Sequence, residues 1–95
     1  MVAHGETFIA ECFWPNVHEA DLAELDRRVE RTAAALNTVR YLGSILLRED
    51  EVVLCEFEGA AVNVREVARL ADIPFERIIA ARRSPWAGGA SDSLS

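Results

Sequence analysis

Ninety-five residues, 51% of them hydrophobic and 27% charged, are enough for one domain and contain no apolar run long enough to span a membrane. The formal net charge of −6, with arginine as the only strongly basic residue type, argues against a general nucleic-acid binder, because phosphate affinity comes from clustered Lys and Arg. Met1 to Gly5 lacks the basic start of a signal peptide and Glu11 interrupts the first apolar run, so a soluble, cytoplasmic protein is expected.

Residues 1–6 read as a flexible N-terminus, residues 7–83 as one folded domain and residues 84–95, which are small, polar and Gly-rich, as a disordered tail. Thr7 to Trp14 reads as a strand with Phe8, Ala10, Cys12 and Trp14 on one side and Ile9, Glu11 and Phe13 on the other. Pro15 stops it, since proline cannot donate to a ladder. Asn16 with Glu19 reads as a capping box, which places a helix start just after Asn16. In that helix Leu22, Leu25, Val29, Ala33 and Leu36 make an apolar stripe, Asp26 falls mostly on the solvent side, and Asn37 is the stop.

Val39 to Gly59 reads as a tight antiparallel hairpin around Arg48, Glu49, Asp50 and Glu51. With Glu49 and Asp50 at its tip, Leu47 pairs with Val52, Ile45 with Leu54, Gly43 with Glu56 and Tyr41 with Glu58 on one face. The other face takes Leu42, Ser44, Leu46, Val53, Cys55 and Phe57. A second helix follows, with a stripe of Ala61, Val64, Val67, Ala68 and Ala71 and no strong N-cap, and it ends before Pro74. A last strand runs from about Arg77 to Arg82. Cys12 and Cys55 have no metal-site spacing and read as buried free thiols, with metal ligation or a disulfide as alternatives.

This succession is α+β, a ferredoxin-like βαββαβ sandwich: a four-stranded antiparallel sheet with two helices on one face. The first and third strands are expected side by side and parallel at its centre. Two helices cover one face, so the other, apolar yet acidic, must meet a partner chain or a ligand, and a homodimer of the α+β barrel type is expected. The stretches FWP (13–15), VRYLGSILLREDEVVLCEFEG (39–59) and ADIPFERI (71–78) together resemble a small bacterial domain-of-unknown-function family. Some of its members are labelled nickel-binding proteins with a dimeric ferredoxin-like fold. The resemblance spans Thr7 to Ala81 and implies a sheet-to-sheet dimer with affinity for a divalent metal such as nickel.

Candidate ligand-binding residues are Glu11, Glu56, Glu58 and Tyr41, expected together on the open face toward the end where the first strand finishes, with Trp14 at a pocket mouth. Carboxylates set among Ile9, Phe13, Ile45, Leu47, Val52 and Leu54 are partly desolvated, which suits proton transfer or metal ligation. The alternative is structural pairing with Arg40, Arg77, Arg82 or Arg83 across a dimer interface. His18, at the first helix start, joins Glu11 and Glu56 as a candidate metal ligand, its alternative being simple solvation. His4 is expected to be mobile, and Trp86 undocked.

A phosphate loop, a paired nucleophile and an RNA-binding aromatic sheet face are all missing from the sequence. Three readings remain: a homodimeric protein binding a metal or small molecule at the open face, a cofactor-free enzyme of the same architecture with Glu11 or Glu56 as general base, and a pure interaction module.

Overall fold

The computed structural model describes residues 6–82 and 84. Residues 1–5 of the segment read as a flexible N-terminus, His4 among them, Arg83, and all but Ser84 of the 84–95 tail, Trp86 included, lie outside the described residues. The elements follow in the order β1 (Thr7–Phe13), α1 (Glu19–Leu36), β2 (Arg40–Leu47), β3 (Val52–Glu58), α2 (Ala61–Leu70) and β4 (Arg77–Ala81). They form one four-stranded sheet in the order β2-β3-β1-β4, antiparallel throughout, with two helices packed against it, a ferredoxin-like α+β fold.

The central pair corrects the parallel arrangement expected for β1 and β3. Each of β1 and β2 runs antiparallel to β3, so the crossover through α1 makes β1 and β2 the parallel pair, and the hairpin then brings β3 back between them in the opposite direction. The reversal matters for function, because it decides which acidic residues share an end of the sheet.

One core joins the layers. Leu25, Val29 and Ala33 of α1 and Val64, Val67 and Ala68 of α2 are buried against Ala10, Cys12, Val53, Cys55 and Phe57. The stripes at three- and four-residue spacing account for this packing. Their ends fall away from it: Leu36 is exposed and Ala61 begins α2 in solvent. Cys12 and Cys55 are buried free thiols, as read from their neighbours.

The helix ends are fixed by short-range bonds. α1 begins two residues later than a cap at Asn16 would allow. Asn16 instead adopts a left-handed conformation (φ 62°) in the loop, and the N-cap is His18, whose backbone N–H donates to Asp21 Oδ2 at 2.9 Å. The chain must turn after Pro15 before it can rise into the helix, and that turn uses Asn16. Asn37 ends α1 in a left-handed conformation (φ 56°), its N–H reaching the Ala33 carbonyl at 2.8 Å.

α2 closes with Asp72 left-handed (φ 59°), the Asp72 N–H on the Arg69 carbonyl at 3.1 Å and the Ile73 N–H on the Ala68 carbonyl at 3.0 Å, a Schellman arrangement that buries Ile73. From α1, Arg28 donates to the carbonyls of Ala71 at 2.5 Å and Asp72 at 3.3 Å and pairs with Glu24, so one guanidinium ties α1 to the C-terminus of α2. At Gly59 (φ 147°) the β3–α2 connection passes so close to Val39 that a Cβ would lie 2.8 Å from its Cγ1.

Candidate functional site

Along β1 and β3, residues alternate between the helices and the uncovered face. Ala10 and Cys12 point under the helices with Cys55 and Phe57, so Ile9, Glu11 and Phe13 of β1 and Val52, Leu54, Glu56 and Glu58 of β3 lie on the uncovered face. β4 adds Arg77 opposite Glu11 and Ile79 opposite Ile9, while β2 adds Ile45 opposite Leu54 and Leu47 opposite Val52. Phe13, Ile45 and Leu47 are 52%, 46% and 40% exposed, an unusual loss for large apolar side chains sharing one surface.

The hairpin register holds from Leu47–Val52 to Gly43–Glu56 and then slips. A bulge between Tyr41 and Gly43 inserts Leu42 as an extra residue, with Gly43 supplying the φ of 116° the kink requires. Tyr41 is thereby opposite Phe57 and not Glu58, and it crosses to the helix side. There its ring lies 5.1 Å from that of Phe57, and its hydroxyl donates to Asp26 Oδ1 at 2.6 Å, beside a second bond from Ser44 Oγ at 2.8 Å. Burial pushes the Tyr41 hydroxyl well above its ordinary range, with Cys55 and Asp26 adding to the effect. Tyr41 is therefore part of the α1–β2 joint and not of the open face. Asp26, read as solvent-side, is its anchor.

Glu11 and Glu58 are each held by an arginine of a neighbouring strand. Arg77 Nε lies 2.6 Å from Glu11 Oε1 and Arg40 lies 3.3 Å from Glu58. The Glu11 carboxylate raises the pKa of Arg77. Both links are cross-strand pairs inside one protomer, so the pairing alternative is realised here without a dimer interface.

The acids do not gather where β1 finishes. The antiparallel register sets Glu58 opposite Thr7 at the beginning of β1 and Glu56 opposite Ile9, with Glu11 nearer the other end. His18 follows the far end of β1, beyond Phe13, whereas Glu56 and Glu58 lie opposite Ile9 and Thr7. The set His18, Glu11 and Glu56 is not one cluster, and among the described residues no three of His, Cys, Asp and Glu come together in a way that would hold a metal ion. The described residues do not fit the nickel implied by the resemblance.

Trp14 lies on the rim of the core at the hairpin end, where its backbone N–H donates to the Glu51 carbonyl at 2.8 Å. It lines a depression of about 160 Å³ with Val17, Leu46 and Arg48, distinct from the uncovered face. Glu56 instead belongs to a depression of about 220 Å³ with Thr7, Ile9, Ala81 and Arg82 at the opposite end of the sheet. The sequence reading missed Thr7 here. As a β-branched polar residue at the first position of a strand, in phase with Ile9 and Glu11, it carried the signal needed to place it.

No protein-family model matches the chain, and none of the curated proteins matches it. Among the described residues no helix is long and apolar enough to cross a membrane.

Proposed function

We propose that the protein is a homodimeric binding protein in which two uncovered sheet faces meet and enclose a small organic ligand. The observation that carries this reading is the uncovered face itself, where Phe13, Ile45 and Leu47 stand exposed beside Ile9, Val52, Leu54 and Ile79. The occupant favoured for this face is a second copy. A surface four strands wide and seven residues long measures about 19 by 23 Å. Two such surfaces with their side-chain relief bury on the order of 1,000 Å², the lower bound for a specific interface. The charges on it are already balanced in part, Glu11 by Arg77 and Glu58 by Arg40, which lowers the cost of moving them out of water.

In this reading the ligand sits in the Glu56 depression and no metal takes part, since the donor set is scattered. A Glu11 general base is disfavoured by its bond to Arg77. The test is a concentration series of methyl and aromatic NMR spectra. Self-association through this face shifts the signals of Phe13, Ile45 and Leu47 with protein concentration and leaves those of Leu25, Val29 and Val67 in place. Shifts confined to any other surface would end the proposal.

A further inference from the structure

The sheet has two edges, and they are finished differently. β2 forms one, where the extra residue Leu42 and the kink at Gly43 (φ 116°) interrupt the row of outward backbone groups. β4 forms the other, and no described strand lies beyond it. Its register with β1 is unbroken from Arg77 to Ala81, with no proline in the run. A regular strand in that position turns alternate N–H and C=O groups outward without a ladder partner.

We infer that the β4 edge is a self-association surface, pairing antiparallel with β4 of a second copy of this chain about a two-fold axis at Ile79. In that register Glu76 lies opposite Arg82 of the partner subunit, and Arg82 opposite the partner's Glu76. Between them Arg77 faces the partner's Ala81 and Ile78 the partner's Ala80. The segment ERIIAAR (76–82) is complementary to its own reverse, as an isologous contact requires. Glu76 and Arg82 are both exposed, and among the described residues neither enters an ion pair within its own chain. Six steps of extended chain separate them by about 20 Å, too far to pair with each other.

Charge also fixes the register. A slip of one residue sets Arg77 against Arg82 of the partner subunit, or else leaves Arg82 opposite the partner's Phe75. A slip of two sets Arg82 against the partner's Pro74 or the partner's Ile78. Opposite charges directly across a ladder are favourable and like charges are not, so the Ile79-centred register is preferred. Edges this short bury less than the roughly 1,200 Å² of a standard interface, which places the contact at about millimolar chain concentration. It uses the rim of the sheet and leaves the uncovered face open, so it does not rest on the sheet-face dimer and forms above that dimer's range.

The experiment is a series of amide NMR spectra of the full chain, carried to millimolar concentration. The expected result is a concentration-dependent shift of the Arg77–Ala81 amides. Glu76→Arg and Arg82→Glu each make both symmetry-related pairs repulsive and move that transition about tenfold upward in concentration. The chain carrying both substitutions re-forms the pairs with their signs exchanged and restores it. Covalent trapping reads the same register: Glu76→Cys chains mixed with Arg82→Cys chains in a glutathione buffer give a disulfide-linked heterodimer, and neither variant alone is cross-linked. The native thiols are buried and stay out of the exchange.

Edge shifts that ignore the charge reversals, cross-linking equal in all three samples, or the absence of both shift and cross-link overturn the inference. Edge shifts without those of Phe13, Ile45 and Leu47 remove the sheet-face dimer and leave the edge contact standing. The reverse pattern removes the edge contact and leaves the dimer.

Discussion

The two faces of the sheet are built from the same strands yet differ in how they are finished. Beneath the helices, Phe57, Val53, Cys55, Ala10 and Cys12 have no exposure, and the polar groups that enter that layer are paired, Tyr41 and Ser44 with Asp26. On the reverse, residues of the same hydrophobicity stand in solvent and carboxylates and guanidinia are interspersed among them. The covered layer is therefore complete within one chain, whereas the reverse is a surface whose apolar area has yet to be removed from water. Stability should be concentrated on the first side and association on the second.

The largest separation between the faces is expected from paired aromatic truncations. Phe57→Ala opens a cavity under the helices and removes the ring against Tyr41, costing about 3–5 kcal/mol in urea denaturation. Phe13→Ala costs little in dilute solution, within about 0.5 kcal/mol, and acts on association instead. Equal losses for the two would erase the distinction.

Next in size is Gly59→Ala. Its Cβ would meet Val39 Cγ1 at 2.8 Å and the Thr38 carbonyl at 3.2 Å with φ held at 147°, and a loss of about 2–3 kcal/mol is expected on chemical denaturation.

Tyr41→Phe leaves Asp26 with Ser44 as its remaining side-chain partner and should cost about 1–2 kcal/mol. It also sharpens the assignment of Tyr41 to the covered side through pH. The hydroxyl titrates above its ordinary value of 10.0 in the folded chain, so the folded state keeps a proton that the unfolded state has lost in strongly alkaline solution. The contribution is fully present below pH 10 and is lost as the pH rises beyond it. The slope reaches up to about 1.4 kcal/mol per pH unit, less to the extent that water screens the ring. The Cys55 thiol, raised by its hydrogen bond with Cys12 and by burial, adds a fall of the same sign above its ordinary 9.0. Tyr41→Phe should make the alkaline slope above pH 10 shallower and leave the part below it; an unchanged profile would return Tyr41 to the solvent side.

The smallest effect belongs to the clamp between the helices. Arg28→Met keeps most of the side chain's length but releases the Ala71 and Asp72 carbonyls, for a loss of about 1 kcal/mol, measurable as a shift in the denaturation midpoint.

Much of this architecture is legible in the chain. The apolar stripes of α1 and α2, the strand alternation in TFIAECF, and the turn between Leu47 and Val52 each follow from side-chain period. Asn37 marks its helix end because its short amide side chain tolerates the left-handed region.

The candidate site was less legible, for two physical reasons. Direction along a strand leaves no trace in its alternation pattern. The period placed Glu11, Glu56 and Glu58 on the correct face, while the antiparallel pairing of β1 and β3 decided that they spread along it. Register, too, can be shifted by a single residue. Gly43, an isolated glycine in a strand pattern, was the visible sign of the bulge that carries Tyr41 to the other face. Asp26 could have been found as well, since it sits four residues after Leu22 and three before Val29, on the border of the buried stripe.

Sedimentation equilibrium over a wide concentration range, on the wild type and on Ile45→Lys, tests the central claim most directly. Ile45 is exposed in the single chain, so the substitution should leave urea stability at low concentration within about 0.5 kcal/mol. Wild-type protein that reaches a dimer with rising concentration, beside a variant that stays a monomer, is the predicted result. A wild-type chain that remains monomeric at every concentration, or a variant that dimerises equally well, would contradict it.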